Sequence, residues 1–492
     1  TISIGGGAAQ TIGNPWLKAT VLGDGSTPAT LVRITTSATA ATAGQTVTVV
    51  MSIDDNDGDT DPNYTATITW IATEPSPAQQ PMRPVFLPPL AGDDRAEVEV
   101  VRRQGATATV LSGGYSYVTT ASEDDQVIHA VLWSFNGTTV TTIDVHAQLN
   151  AVKTSLGLDQ LDESEISAIN HVGQSAGTCH GNKTGFPSTP LAVAWLREAD
   201  GTIRFLAALA EGALVNEGPE VTYLTENGWV LADTLTGAAV STPTSNDLSG
   251  SSPPYRGKAF RFGSTTIDLH AAAATAAGAV SPNDSVSGAS FARAGTGAAL
   301  GVVSGVVYDP GIDAFVPYVR NAAGVTNVET TNVLNSDDFG AEWVTAAADQ
   351  VVVEDSLHGK MYLAGWNNAG LVTPTQIPTF FSDAGNINEL YLKDTSEQTA
   401  TSLEILIGTK AYGDEYRTWI QPADISGAPT FGARIFPEWL VPNSYLRQTS
   451  EYLWLDLESL DASGSDRVYG ASGYGWSGNP KAVLLVHEAR IT

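Results

Sequence analysis

The stretch Lys360-Met-Tyr-Leu-Ala-Gly-Trp-Asn-Asn368 joins an apolar run with aromatic side chains to a turn rich in asparagine. Short apolar runs bounded by Gly, Asn or Asp are typical of β-strands followed by turns. Six further segments share this form, beginning at His129, Leu191, Lys258, Ala298, Ser402 and Glu451. The recurrence predicts a body of short antiparallel strands from about residue 96 onward.

The spacing of these segments indicates how the strands are grouped. Their starts lie between 40 residues (258 to 298) and 67 residues (191 to 258) apart. Propeller blades repeat every 40–50 residues or so, and the chain therefore predicts a mainly β fold with a propeller-like body over residues 94–492. Helical spacing in Val145–His171 and in Asp268–Val280, with Asp268 as an N-cap, predicts one or two helical insertions. These helices are either additions to the β-sheets or part of an α/β insert near residues 145–290.

The first 73 residues read as a separate domain. Alternating segments at 41–53 and 64–70 predict a hairpin, and with the segment 29–35 they predict an immunoglobulin-like β-sandwich. Residues 74–93 contain six prolines, which exclude a helix and a central strand and indicate a stiff linker.

Composition excludes several classes of protein. The 492 residues include 24 Lys and Arg against 53 Asp and Glu, a formal charge of −29, although only 16% of residues are charged. Nucleic-acid binding is not expected, because phosphates are neutralised by cations. The single cysteine, Cys179, allows no intrachain disulfide, and no apolar run is long enough to insert into a membrane. The sequence that starts at Thr1 has no signal-peptide pattern. This fits a cytoplasmic protein that has lost its initiator Met, or a secreted protein whose signal peptide has been cleaved off.

One octapeptide carries a family resemblance. Ser336-Asp-Asp-Phe-Gly-Ala-Glu-Trp343 resembles the Asp box of BNR-repeat and sialidase-type propellers, with Glu342 in place of the usual Thr. The resemblance implies a bracing turn in which a carboxylate accepts backbone N–H bonds, a glycine takes positive φ and a tryptophan packs between strands. A degraded copy lies at Tyr412–Trp419. The Asp-box residues are thus Ser336, Asp338, Gly340, Trp343, Asp414, Thr418 and Trp419. Sialidase activity is not implied, because the early Phe/Tyr-Arg-Ile-Pro element of that family has only a counterpart with an insertion, at 433–437, which lies after both boxes.

A second resemblance concerns nucleophilic catalysis. Gly173-Gln174-Ser175 resembles the nucleophile block of SGNH-type esterases, and Asp355-Ser-Leu-His358 resembles their late Asp-x-x-His block. The resemblance implies that His358 activates the hydroxyl of Ser175 and that Asp355 orients the imidazole. The simpler alternative is that these residues belong to two unrelated loop segments and form no active site. We therefore expect no esterase or glycosidase turnover, and if the chain is an enzyme, an SGNH-type esterase is the expected class.

An acidic loop offers oxygen ligands for calcium. Flexible loops with several carboxylates suit Ca²⁺, although this loop does not match the EF-hand register. A solvated hairpin tip is the simpler alternative, and no other cofactor is expected. The candidate ligands are Asp54, Asp55, Asn56, Asp57, Asp59 and Asp61.

The acidic, disulfide-free, Thr- and Gly-rich composition is similar to that of surface and tail proteins of tailed bacteriophages. This resemblance implies a non-enzymatic virion subunit, assembled in the host cytoplasm, that binds other virion subunits and forms a homo-oligomer. It also implies that the β body presents a site for a host glycan or protein receptor. The alternative is an extracellular carbohydrate-active protein, either a propeller lectin or an SGNH-like esterase.

Overall fold

This computed structural model describes residues 2–4, 17–22, 31–36, 46–53, 64–71, 82–105, 109–119, 127–217, 219–235, 255–331, 334, 339–355, 358–378, 389–410, 416–432, 434–435, 437–440, 454–463, 466–474 and 480–487. The chain divides into two compact units, residues 1–80 and 81–492. No helix in the described part of the chain is both long enough and apolar enough to cross a membrane.

The first unit contains five described strands: β1 Ile2–Ile4, β2 Leu17–Leu22, β3 Leu31–Thr36, β4 Thr46–Ile53 and β5 Tyr64–Ile71. The expected hairpin is present, since β4 and β5 pair antiparallel from Ile53 opposite Tyr64 onward. β1 extends this sheet, whereas β3 pairs with β2 in a second sheet. The immunoglobulin-like packing of the two sheets stays a prediction.

The second unit begins with β6 Met82–Phe86 and contains six sheets in the described part of the chain. One of them has eight strands and divides at a single parallel bridge, so we describe seven blades, numbered 1 to 7. Blade 1 contains β7 Arg95–Arg103, β8 Val110–Tyr117, β9 His129–Phe135 and β10 Val140–Asp144. Blade 2 contains β11 Leu158–Ser164, β12 Ala168–Ile169, β13 Ser175–Lys183, β14 Pro190–Arg197 and β15 Ile203–Glu211. Blade 3 contains β16 Val221–Leu224, β17 Val230–Leu235, β18 Tyr255–Phe260 and β19 Ile267–Asp268.

Blade 4 contains β20 Ser287–Ala294, β21 Leu300–Asp309, β22 Ala314–Arg320 and β23 Thr326–Val328. Blade 5 contains β24 Phe339–Val344, β25 Gln350–Asp355, β26 Lys360–Asn367 and β27 Gly370–Gln376. Blade 6 contains β28 Glu389–Thr399, β29 Ser402–Lys410, β30 Tyr416–Asp424 and β31 Thr430–Phe431. Blade 7 contains β32 Trp454–Ser463, β33 Asp466–Tyr474 and β34 Pro480–His487, with β6 as its fourth strand.

The blades form a closed ring. The first strand of each blade packs against the blade before it, and β32 of blade 7 contacts both β28 of blade 6 and β7 of blade 1. These first strands therefore surround a common axis. β6 pairs antiparallel with β34, so a strand from the start of the unit completes the last blade. The predicted propeller-like body is confirmed as a β-propeller.

The expected linker at residues 74–93 requires a correction. Residues 82–86 form β6, in which Pro84 lies opposite Leu485 of β34. Proline is tolerated there because β6 is an edge strand, whose outward N–H positions need no partner in the sheet. The indole Nε1 of Trp133 in blade 1 donates to the carbonyl of Pro88 at 2.8 Å. The second half of the expected spacer is thus part of the propeller.

The expected helices are shorter than the periodicity indicated. α1 spans Val145–Ala151, a 3₁₀ turn follows at Lys153–Leu156, and Gly157 ends the helical backbone with a φ of 84°. The apolar residues after Gly157 lie in β11, in β12 or between them. They share a hydrophobic core with α1, so their helical spacing reflects packing into that core and does not indicate one continuous helix. α2 spans Leu269–Ala276 and is capped by Asp268, as expected.

The expected α/β insert near 145–290 is also wrong. The described strands of this region pair antiparallel, apart from one parallel bridge between Arg256 and Ser287 that links blades 3 and 4. The remaining described helical segments are 3₁₀ turns at Gly212–Glu217 and Pro282–Asp284 and the short α3 at Pro437–Leu440.

Candidate functional site

A cavity of about 150 Å³ lies among the first strands of the seven blades. Every blade contributes at least one residue to its wall. Most of the side chains that line it are polar or charged, although they belong to strands that are otherwise apolar. The residues used below are Glu99, Arg102, Tyr223, Ser290, Phe291, Glu342, Lys393, Asp394 and Ser459.

Glu99 enters the cavity because β7 alternates. Ala96 and Val98 are buried in the core between blades, whereas Glu97 and Glu99 lie on the opposite face of the strand. Glu99 is surrounded by protein, yet its side chain remains accessible because it faces the open space of the cavity. This burial, reinforced by neighbouring carboxylates, raises the pKa of Glu99 well above its ordinary value.

Three carboxylates around Glu99 create a negative environment. Glu458 of blade 7 and Glu165 of blade 2 repel its charge, as does Glu97 of its own strand. Burial raises the pKa of both Glu458 and Glu165 to about 7. The opposing cation is Lys393 of blade 6.

Lys393 already has carboxylate partners. Its Nζ lies 2.5 Å from Glu458 Oε2 and 3.5 Å from Asp456 Oδ2, and its side chain is 12% exposed. These carboxylates raise its pKa although burial opposes the charge. Lys393 is therefore held as a cation between the first strands of blades 6 and 7.

A second ion pair joins blades 1, 6 and 7. Arg102 NH1 lies 3.0 Å from Asp394 Oδ2, and the same oxygen accepts from the Ser459 hydroxyl at 2.6 Å and from the Leu460 N–H at 3.0 Å. The other carboxylate oxygen of Asp394 accepts from the Thr395 N–H at 2.8 Å. Asp394 is thus a fully coordinated anion.

Aromatic side chains form the wall of the cavity at blades 3 and 4. The rings of Tyr223 and Phe291 pack with centroids 4.6 Å apart. The Arg293 guanidinium lies over Phe291 at 5.4 Å and forms an ion pair with Glu397 of blade 6. Beside them, burial raises the pKa of Glu342, which is hydrogen-bonded to Ser290. The cavity therefore combines an apolar aromatic surface with hydrogen-bonding groups.

An ion-pair network links four blades at the C-terminal ends of their first strands. Asp461 accepts from Arg103 through both oxygens, at 3.1 and 2.8 Å. His171 lies between two carboxylates, with Nε2 3.2 Å from Asp461 Oδ2 and Nδ1 2.6 Å from Glu226 Oε1. These two hydrogen bonds raise the pKa of His171 to about 9, whereas those from His171 and Arg103 hold the pKa of Asp461 below its usual range.

The residues of the expected esterase triad do not assemble. Ser175 is buried in β13 of blade 2, and its hydroxyl has no hydrogen-bond partner. Asp355 and His358 do meet, with His358 Nδ1 3.0 Å from both carboxylate oxygens, but they lie at the end of β25 in blade 5. The hydroxyl that should be activated therefore lacks the base, and no nucleophile is formed.

Those Asp-box residues that the structure describes lie in β-strands. Gly340 and Trp343 belong to β24, the first strand of its blade, and Gly340 does not adopt positive φ as the resemblance implied. The strand before them, β23, belongs to another blade, so the box does not connect two strands of one sheet. Thr418 and Trp419 lie in β30. Ser336, Asp338 and Asp414 lie outside the described residues.

The predicted calcium ligands, Asp54 to Asp61, also lie outside the described residues. Within the described ranges, no group of three or more His, Cys, Asp or Glu side chains is arranged to hold a metal ion.

Comparisons with known proteins find similarity in shape only. No protein-family model and no curated protein matches the chain. Among solved structures, the β-propeller domain of the Trilobed protease from Pyrococcus furiosus matches with a TM-score of 0.40, 8% identity, and coverage of 80% of this chain and 94% of that one. The GH93 α-L-arabinofuranosidase of Fusarium graminearum matches with a TM-score of 0.37, 11% identity, and coverage of 84% and 99%. The Aleuria aurantia lectin matches with a TM-score of 0.27, 11% identity, and coverage of 72% and 97%.

Proposed function

We propose that the propeller is a carbohydrate-binding protein and that the axial cavity receives a single sugar unit. The observation that carries this proposal is the composition of the cavity wall. Carboxyl, ammonium, guanidinium and hydroxyl groups surround the space, and Tyr223 and Phe291 provide an aromatic surface. Sugar hydroxyls need hydrogen-bonding partners of this kind, while the C–H face of a sugar ring packs against aromatic rings.

The size of the cavity favours a small ligand. Pockets for drug-sized molecules measure roughly 300–1,000 Å³, about two to several times this cavity. A monosaccharide, or the terminal unit of a longer glycan, suits the space better than a nucleotide or a peptide.

Binding without hydrolysis is the expected outcome. Glycoside hydrolysis normally needs a protonated carboxyl group together with a free carboxylate. Glu99 and Glu342 supply groups with raised pKa values, but Asp394 is occupied by Arg102, Ser459 and two backbone N–H groups. The cavity therefore has carboxyl groups, Glu99 and Glu342, that can form hydrogen bonds with a sugar. Among its described residues it lacks an available carboxylate nucleophile.

A glycan array probed with the labelled full-length protein tests this proposal. We expect a restricted set of glycans to bind. Tyr223→Leu, which removes the aromatic face and keeps an apolar side chain, should weaken binding about tenfold, or about 1.4 kcal/mol. The matched control is Phe205→Leu, since Phe205 is an exposed aromatic residue in the last strand of blade 2.

Two results would contradict the proposal. One is the absence of any glycan that binds; the other is binding that Tyr223→Leu and Phe205→Leu leave equally unchanged. Hydrolysis of aryl glycosides that is lost in Glu99→Gln would contradict the expectation of binding alone. The virion location, the other virion subunits as partners and the homo-oligomer remain predictions from the sequence.

A further inference from the structure

Glu99 differs from the other charged residues of the cavity wall. Arg102 and Asp394 form a pair, Lys393 contacts Glu458 and Asp456, and Glu342 is hydrogen-bonded to Ser290. Among the described residues, the Glu99 carboxyl group has no hydrogen-bond or ion-pair partner, and it faces the cavity. Because its side chain is accessible from the cavity, this carboxyl group can bind a ligand there.

The surroundings of Glu99 determine which partner fits. The groups that act on it include the carboxyl groups of Glu97 on its own strand and of Glu165 and Glu458 from blades 2 and 7. The cation Lys393 also acts on it, but Lys393 is engaged by Glu458. A neutral hydroxyl leaves Glu99 in the protonated form that these surroundings favour, whereas a cation beside it stabilises the ionised carboxylate. A primary ammonium group donates up to three hydrogen bonds and brings a positive charge, so its bonds to a carboxylate are stronger than neutral ones.

We propose that the axial cavity recognises a sugar with a free amino group, and that Glu99 binds the ammonium group of that sugar. This inference rests on the proposed carbohydrate-binding function. Tyr223 and Phe291 lie along the wall of the same cavity, where they can pack against the sugar ring while its amino group points toward Glu99.

Isothermal titration calorimetry on the full-length protein tests the inference. The ligands are glucosamine, galactosamine and mannosamine, the three corresponding neutral hexoses, the three N-acetyl derivatives, and putrescine as an amine without a sugar ring. We expect at least one hexosamine to bind ten times more tightly than its neutral hexose. N-acetylation should remove that preference, because it removes the positive charge and keeps the ring.

Glu99→Gln should abolish the preference for the amine and preserve binding of the neutral hexose. Glu226→Gln is the matched control, because Glu226 is an exposed carboxylate in the network around His171 and does not line the cavity. The comparison of ligands on the unaltered protein does not depend on how either variant folds.

The outcomes separate this inference from the proposed function. Equal binding of hexosamine and neutral hexose would overturn the inference and leave the carbohydrate-binding function standing. Binding of putrescine alone, lost in Glu99→Gln, would confirm an ammonium site and contradict the carbohydrate-binding function. If none of these ligands binds, the inference is overturned, and the glycan array decides whether the carbohydrate-binding function stands.

Discussion

At the scale of single residues, two tryptophans carry much of the contact between blades 5 and 6. Trp343 of β24 and Trp419 of β30 are each 1% exposed and belong to one apolar cluster with Leu363, Ile405 and Ile407. They come from the two octapeptides that resemble Asp boxes. Their burial follows from their place in strands facing a neighbouring blade, and not from a bracing turn.

Trp343→Ala should destabilise the propeller by about 3–5 kcal/mol, because it removes a large side chain from a core that cannot collapse around the space. The free energy of unfolding in denaturant measures this. Phe186→Ala is the control, since Phe186 is 59% exposed and its loss should cost less than about 1 kcal/mol. Equal effects of the two substitutions would contradict the packing described for Trp343.

The pKa of His171, raised from 6.5 to about 9, makes stability depend on pH. The protonated imidazole pairs with Asp461 and Glu226 in the folded chain, so its contribution is fully present below pH 6.5 and is lost as the pH rises through 9. Because His171 is 43% exposed, solvent screening limits this contribution to about 1 kcal/mol.

The difference in unfolding free energy between the unaltered protein and His171→Gln, measured from pH 6 to pH 9.5, tests this. We expect the difference to shrink across that range. Glu226→Gln serves as the control, because it removes the negative charge of one of the two acceptors and should reduce the pH dependence without abolishing it. A difference that is independent of pH would mean that His171 is neutral in the network.

At the scale of elements, the same short sequence precedes both α1 and α2. Ile143-Asp-Val-His-Ala147 and Ile267-Asp-Leu-His-Ala271 each place an aspartate at the N-cap, where it accepts from the backbone N–H three residues on, at 2.7 and 2.9 Å. The histidines that follow bond Ser164 and Ser287, at 2.8 and 2.9 Å. The same N-cap and His–Ser hydrogen bond therefore occur in the connection from blade 1 to blade 2 and in the connection from blade 3 to blade 4.

Asp144→Ala and Asp268→Ala should each lower the unfolding free energy by about 0.5–2 kcal/mol, because each leaves a first-turn N–H of its helix without an acceptor. Asparagine caps helices nearly as well as aspartate does. Asp144→Asn and Asp268→Asn should therefore retain most of the stability in thermal unfolding. Equal losses for the Ala and Asn variants would point to the charge and not to the cap.

The recurring apolar segments show what could be predicted about elements from the sequence. The seven segments fall one in each blade, in β9, β14, β18, β21, β26, β29 and β32. They are third strands in blades 1, 2, 3 and 5, second strands in blades 4 and 6, and the first strand in blade 7, where β11 and β12 together count as the first strand of blade 2. Strand type was predictable because these segments are largely apolar. Apolar strands occur at the first, second and third positions of a blade, so apolarity did not reveal the position, and the spacing was irregular.

At the scale of the whole molecule, the ring depends on β6 closing blade 7. Residues 81–492 form a compact unit, so a chain lacking residues 1–80 should fold and keep the unfolding temperature of the propeller. A chain lacking residues 1–90 also loses β6 and Leu87, which is 3% exposed, and leaves β34 at an open edge. We expect its unfolding temperature, measured by circular dichroism, to fall by several degrees. Equal temperatures for the two truncated chains would contradict the closure.

The axial cavity was not predictable from the sequence, because its wall is assembled from strands spread over residues 99–459. Each contributes one to three polar residues that resemble solvent-exposed positions of an ordinary strand. The available signal was the pairs of acidic residues inside otherwise apolar strands, Glu97 with Glu99 and Asp456 with Glu458. Only the ring closure brings Glu458 of blade 7 close enough to act on Glu99 of blade 1.

The most direct test of the central claim is a crystal structure of the full-length protein with the sugar that binds most tightly. The account predicts density for one sugar unit in the axial cavity, with its ring against Tyr223 and a polar substituent within hydrogen-bond distance of Glu99. Density for the sugar on the outer surface of the blades, with the cavity holding only water, would contradict the account.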